Sequence, residues 1–269
     1  MQEGTMKEAW DFKNECDSIA AILDGKTEAE LQTSTLFKGW TINDIIGHLH
    51  LWNIAANQTL SDPEEFQIFI KEAMGHLISG KTHPEVQAEI FKGKSATDIY
   101  AEWKDYYPKT ADNYAKAVAE QRVKWAGPDM SARSSIIARQ MEHWAHAQAI
   151  FDVLGLTRQN EDRLKNVAHI GVTTYSWSFK VKGLEPIKPK PYVRLTAPSG
   201  AIWEWNDPQE DNRVEGSAEE FSQVVTQCRN IGDTSLKTVG EAATKWMNIA
   251  QCFAGGPETA PAKGARHKA

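Results

Sequence analysis

Three cysteines in a chain of 269 residues are too few and too scattered for a disulfide framework or a CxxC metal or redox motif: Cys16, Cys228 and Cys252 share no short spacing and leave one thiol over. A reducing, cytoplasmic setting is therefore expected. Long apolar runs are missing, since no stretch approaches the ~18 residues of a membrane span, and the start MQEGTMKEAW lacks the basic flank and apolar core of an export signal. Neither membrane insertion nor export is expected. Positive charge is in deficit, with 30 Lys and Arg against 36 Asp and Glu for a net charge of −6. That removes the electrostatic footprint a phosphate backbone requires and argues against a nucleic-acid partner. Gly-rich phosphate loops of the GxGxxG or GxxxxGK[ST] type are absent, and so are internal repeats.

What is present is an ordinary globular composition, 41% hydrophobic and 25% charged, at a length that accommodates about two domains. The first two-thirds read as helices. Phe12, Cys16, Ile19 and Leu23 make one stripe, ended by Gly25, where a left-handed cap costs glycine nothing. Thr41 with Asp44 opens a second helix whose core stripe is Ile45, Leu49, Trp52 and Ala56. Asp62-Pro63 opens a third through Phe66, Phe69, Ile70, Ala73 and Leu77 to Gly80. Ser95 with Asp98 opens a fourth, which Pro108 is expected to kink or break. Ser131 to Leu154 is the longest helical pattern, closed by Gly155, and another helix begins near Glu161.

Beyond Gly183 the pattern changes. EPIKPKP reads as a linker and YVRLTAPSGAIWEW as a β-hairpin around Pro-Ser-Gly. A short strand near Val214, a helix capped at Ser217, a strand from Leu236 to Val239 and a helix from Glu241 to Phe253 complete an α+β pattern. The composition of 257–269 predicts disorder. The three cysteines read as buried small hydrophobes.

Four of eight histidines fall in two clusters: His48 and His50 in IIGHLHLW, and His143 and His146 in RQMEHWAHAQ. Glu142 and His146, four apart, differ by about 40° around a helix and can reach one ion, a pairing used in helical bundles. The same pair on a surface helix is more often a weak ion pair. Two ligands do not close a site, so a third must come from the second helix. There His48 and His50 lie about 200° apart, and the helical wheel does not choose between them. With Ile137 centred on the apolar side, Ser135, Arg139, Glu142 and His146 form an opposite polar stripe. Arg139 then serves to orient Glu142, to bind an anionic substrate, or only to form a surface ion pair.

GWTINDIIGHL, followed about ninety residues later by ARQMEHWAHAQAIFDVLG, resembles the DinB-like metal-binding superfamily and within it is similar to the mycothiol-dependent maleylpyruvate isomerase type. VRLTAPSGAIWEWND, EEFSQVVTQCRN and MNIAQCFAGGP resemble a two-domain subgroup known only as metal-binding proteins. The resemblance implies a multidomain chain: an all-α DinB-like four-helix bundle over 1–160, then a small α+β sterol-carrier-like domain over 161–256, before the tail. It implies a divalent metal held by His48, Glu142 and His146, zinc in the first place with nickel, manganese and iron as alternatives, and an open position for water or thiol. It also implies that Arg229 helps to complete the active site. One departure is that Ala147, Gln148 and Ala149 follow the last metal histidine where members often carry Gly and Asp.

A metal that acidifies a bound thiol makes a nucleophilic Cys or Ser of the protein unnecessary. The resulting expectation is a metal-dependent enzyme that activates a low-molecular-weight thiol for transfer, addition or isomerisation on a small electrophile. A hydrolase using bound water and a non-catalytic carrier of apolar ligands are the alternatives. Monomer and homodimer are equally open.

Overall fold

The computed structural model describes residues 5–269. Seven helices and a ribbon come first: α1 (Lys7–Leu23), α2 (Glu28–Leu31), α3 (Ile42–Ser61), α4 (Pro63–Ile78), α5 (His83–Ile90), α6 (Ala96–Lys116), the pair β1 (Arg122–Val123) and β2 (Met130–Ser131), and α7 (Ala132–Val153). They are followed by α8 (Lys165–Thr173), α9 (Tyr175–Lys180), β3 (Tyr192–Thr196), β4 (Ile202–Trp205), β5 (Arg213–Ser217), α10 (Ala218–Val225), β6 (Lys237–Val239) and α11 (Glu241–Ile249). Internal packing groups the chain as Met1–His143 and Trp144–Ala269, a division that falls inside α7. Among the described residues no helix is long and apolar enough to cross a membrane.

In the helical unit α3 is central, packing against α4, α5 and α6, while α1 lies on α6. Its start is fixed by a capping box in which Thr41 and Asp44 satisfy each other's free N–H groups. The expected stripe of Ile45, Leu49, Trp52 and Ala56 is buried. Pro108 does not end α6, which runs unbroken from Ala96 to Lys116. Side-chain anchors on both sides of it outweigh the single backbone hydrogen bond that proline removes. Tyr100 donates to Asp24 at 2.6 Å, Tyr107 to Asp17 at 2.7 Å and Tyr114 to the Ala56 carbonyl at 3.0 Å. α5 has no apolar stripe and escapes a periodicity reading, because only Val86 and Gln87 are buried; its legible signal is the Thr82–Glu85 capping box with Pro84 beside it.

The other unit is built on a four-stranded mixed sheet in the order β4-β3-β5-β6. The β3–β4 hairpin turns at Pro-Ser-Gly as the alternation predicts, pairing Val193 with Trp205 and Leu195 with Trp203. The chain then returns to lay β5 parallel to β3, with β6 antiparallel on β5. Phe221 of α10, Trp246 of α11 and Tyr175 of α9 pack edge to face in the core. α8 meets α10 at Gly171, where a Cβ would lie 2.7 Å from Val225 and 2.9 Å from Phe221. The segment 257–269, whose composition predicts disorder, makes hydrogen bonds instead of a core: Arg266 donates to the Gln227 carbonyl at 2.6 Å, Asn230 to the Pro261 carbonyl at 2.8 Å and the Ala269 N–H to the Asp152 carbonyl at 2.8 Å.

This packing generates two tests. Gly171→Ala pushes a methyl into two buried side chains and should destabilise the protein by about 1–3 kcal/mol, read as a lower urea midpoint at unchanged slope. Hydrogen bonds from Thr82 hold the Glu85 carboxyl below its ordinary value of 4.5. Its capping contribution is therefore complete above pH 4.5 and is lost as pH falls below that, so Glu85→Gln should lose less stability than wild type between pH 7 and pH 3 in matched urea titrations.

Candidate metal centre

α3 and α7 bring the centre together. The capping box at Thr41 sets the phase of α3, and His48, two turns in, is buried with its Nε2 3.6 Å from Glu142 Oε2. His146 follows Glu142 by one turn of α7, so helical geometry alone aligns the two. One ligand atom each from His48, Glu142 and His146 lie within 4.8 Å of one another, the single such group of three among the described residues. Glu142 and His146 are half-buried, which leaves the group accessible from one side. Two imidazoles and one carboxylate are the donor set of a three-ligand catalytic zinc site, so the residues present fit a divalent ion with a position to spare. The rings around His48 include His83 at 5.4 Å between centroids, Trp40 at 5.5 Å and Trp52 at 6.3 Å.

The other histidines of the two clusters point elsewhere. His50 stacks on Phe91 at 5.4 Å, meets Tyr106 edge to face and has its Nε2 3.6 Å from Glu102. Burial lowers its pKa to about 4, against the pull of Glu102, so it is a neutral packed side chain at neutral pH. His143 is fully buried; its Nε2 accepts from the indole N–H of Trp103 at 3.3 Å and its Nδ1 donates to the Arg139 carbonyl at 2.7 Å. Trp103 can only donate, so the proton of the neutral ring sits on Nδ1.

The polar stripe of α7 faces inward, contrary to the sequence reading. Ser135 and Arg139 are each 2% exposed, while Ile137 is only half-buried. The interior accepts these groups because partners are provided: Ser135 shares a 2.8 Å hydrogen bond with Tyr114, and Arg139 donates to Asn53 Oδ1 at 3.2 Å and to the Leu49 carbonyl at 3.1 Å. Burial lowers the Arg139 pKa to about 10, opposed by the nearby Glu142 carboxylate. Arg139 is thus a buried tie between α7 and α3 beside Glu142, and the surface ion pair is excluded.

In the second unit, Arg229 grips Asp152 of α7 with two hydrogen bonds of 2.6 and 2.8 Å. Burial works against its charge, but the Asp152 carboxylate outweighs this and raises its pKa. Asp152, as the group that orients Arg229, was not legible in the sequence, because the two are 77 positions apart. The three cysteines are buried and form no disulfide, and burial raises the thiol pKa of Cys16, helped by Glu15, and of Cys228. Neither of these two thiols is poised as a nucleophile.

Comparison with known proteins agrees with this architecture. The family model described as the mycothiol maleylpyruvate isomerase N-terminal domain matches residues 12–151. Two uncharacterised proteins of Mycobacterium tuberculosis, from strains CDC 1551 / Oshkosh and ATCC 25618 / H37Rv, are each 32% identical over 247 residues, covering 92% of this chain and 95% of theirs. Among solved structures, a histidine-to-alanine mutant of mycothiol-dependent maleylpyruvate isomerase superposes with a TM-score of 0.50 at 15% identity, over 81% of this chain and 87% of that one. At that identity the match speaks to fold.

The Arg139 tie generates a further test. Arg139→Ala leaves the Asn53 amide oxygen without its Arg139 donor in the interior and should cost about 1–3 kcal/mol. Arg139→Lys should recover only part of that loss in chemical denaturation, because one ammonium does not reproduce the planar fork.

Proposed function

The chain belongs to the mycothiol maleylpyruvate isomerase N-terminal domain family, and from that membership we propose that it is a metal-dependent enzyme acting with a low-molecular-weight thiol on a small electrophile, by transfer, addition or isomerisation. The observation that carries the reading is the convergence of His48, Glu142 and His146 from two helices. These three residues would hold the ion, zinc by donor type, with nickel, manganese and iron also compatible with imidazole and carboxylate. When bound, such an ion acidifies a thiol or water at its open position and so makes a strong nucleophile at neutral pH.

The chain's own side chains do the remaining work. Glu142 supplies the one negative charge of the ligand set, so a divalent ion there keeps a net positive charge that favours an anionic thiolate. Arg139, buried beside Glu142, sets a positive charge next to that carboxylate and holds α7 in register with α3. Trp40 and Trp52 pack against the His48 ring and limit its rotation. Arg229, charged and fixed by Asp152, is the group we assign to an anionic substrate, as carboxylate-bearing electrophiles require. The burial of the cysteines and the raised thiol pKa of Cys16 and Cys228 support an external thiol over a protein thiolate.

Metal content of the untagged protein, measured by inductively coupled plasma mass spectrometry, tests this directly. About one metal per chain is expected in wild type and in His50→Gln, with loss of stoichiometric metal in His48→Ala and His146→Ala at unchanged far-UV circular dichroism. Metal retained by both alanine variants would overturn the ligand set. For the metal-loaded protein, consumption of a small electrophile that depends on added thiol is expected, whereas ester or amide hydrolysis without thiol would identify water as the nucleophile.

A further inference from the structure

Close packing of α5 on α3 brings another histidine to the candidate centre. Gly47 immediately precedes His48, and a Cβ there would lie 3.0 Å from the buried Gln87 Oε1, so the absence of a side chain lets α5 approach this turn of α3. His83 lies four residues before Gln87, on the same side of α5. Its backbone is fixed by the Thr82–Glu85 capping box and by Pro84.

The His83 ring stands edge to face with His48 at 5.4 Å between centroids, and Trp40 packs against both imidazoles, at 5.5 Å from His48 and 6.1 Å from His83. Among the rings around His48, Trp52 is buried while Trp40 and His83 are half-buried. His83 therefore stands on the accessible side of His48, where an open coordination position must be for a small molecule to reach it.

Two imidazoles bound to one tetrahedral ion, with metal–nitrogen bonds of about 2 Å, keep their ring centres about 5 Å apart. His83 is at that separation from His48, yet it is not one of the three residues whose donor atoms lie within 4.8 Å of one another. As the first residue of a helix it has no preceding turn to crowd its side-chain torsion, so reorientation of the ring is inexpensive.

We propose that His83 is a displaceable fourth ligand, which occupies the metal's open position in the resting protein and gives it up to an incoming thiol. The proposal rests on the metal-site reading above. The exchange replaces one metal–nitrogen bond by one metal–sulfur bond, with the thiol proton released to solvent. A site closed in this way is protected from stray ligands until a stronger donor arrives, since thiolate outcompetes imidazole at a borderline-soft ion.

Cobalt(II) reconstitution tests it without reference to turnover. Visible absorption and chelator competition are measured for wild type, His83→Ala and His83→Phe, before and after addition of 2-mercaptoethanol; the Phe variant keeps a packed ring but has no donor. Before thiol, both variants should differ from wild type in the cobalt d–d bands and bind cobalt about tenfold more weakly. After thiol, all three spectra should converge on one that carries sulfur-to-cobalt charge transfer. Identical spectra and affinities in wild type and both variants before thiol would overturn the role of His83 while leaving the three-ligand site intact. Failure of wild type to bind about one cobalt per chain would overturn the metal reading and this inference together.

Discussion

A guanidinium buried between two helices constrains how the helical unit packs. Arg139 carries its charge into the interior, and a buried charge is tolerated only if its donors are satisfied. Asn53 and the Leu49 carbonyl meet that demand from α3, and Asn53 also lies 3.3 Å from Nε2 of His143, one turn further along α7. Trp103 of α6 donates to the same nitrogen and closes the network. A polar seam of this kind admits one register, because sliding α7 by a residue would leave several of these groups unpaired at a cost of a few kcal/mol each.

That register sets the position of the candidate centre. His48 adjoins Leu49 on α3, and Glu142 adjoins His143 on α7, so the contacts that anchor Arg139 and His143 bring His48 and Glu142 to 3.6 Å at the margin of the seam. His146 then needs no separate positioning, since the helix repeat delivers it one turn later. The two histidines of each cluster have divided the work: His143 is spent on the seam, His50 on packing against Phe91 and Tyr106, and the remaining pair converges. A rigid polar interior beside an accessible donor cluster is the arrangement that holds ligands in place while leaving one side open.

The chemistry of the chain agrees with an imported nucleophile. Its cysteines are buried, with the thiol pKa of Cys16 and Cys228 raised, and Arg229 is fixed by a bidentate carboxylate rather than left mobile. Function in such a protein resides in what the site binds, and the fold supplies position and polarity.

Much of the architecture was legible in the amino-acid sequence, because its signals are local. Caps at Thr41 and Ser95, the left-handed glycines after α1 and α7 and the alternation around Pro-Ser-Gly each act within a few residues of where they are read. So is the Glu142–His146 pairing, which follows from the helix repeat alone. Long-range partners were not legible. The burial of Arg139, the continuity of α6 through Pro108, the grip of Asp152 on Arg229 and the presence of His83 beside His48 all depend on what a distant segment offers. The sequence by itself determined helix phase, turn chemistry and the inventory of donor atoms; only the tertiary structure decided which donors meet, because a buried polar group is committed by the partners that packing brings within hydrogen-bond reach.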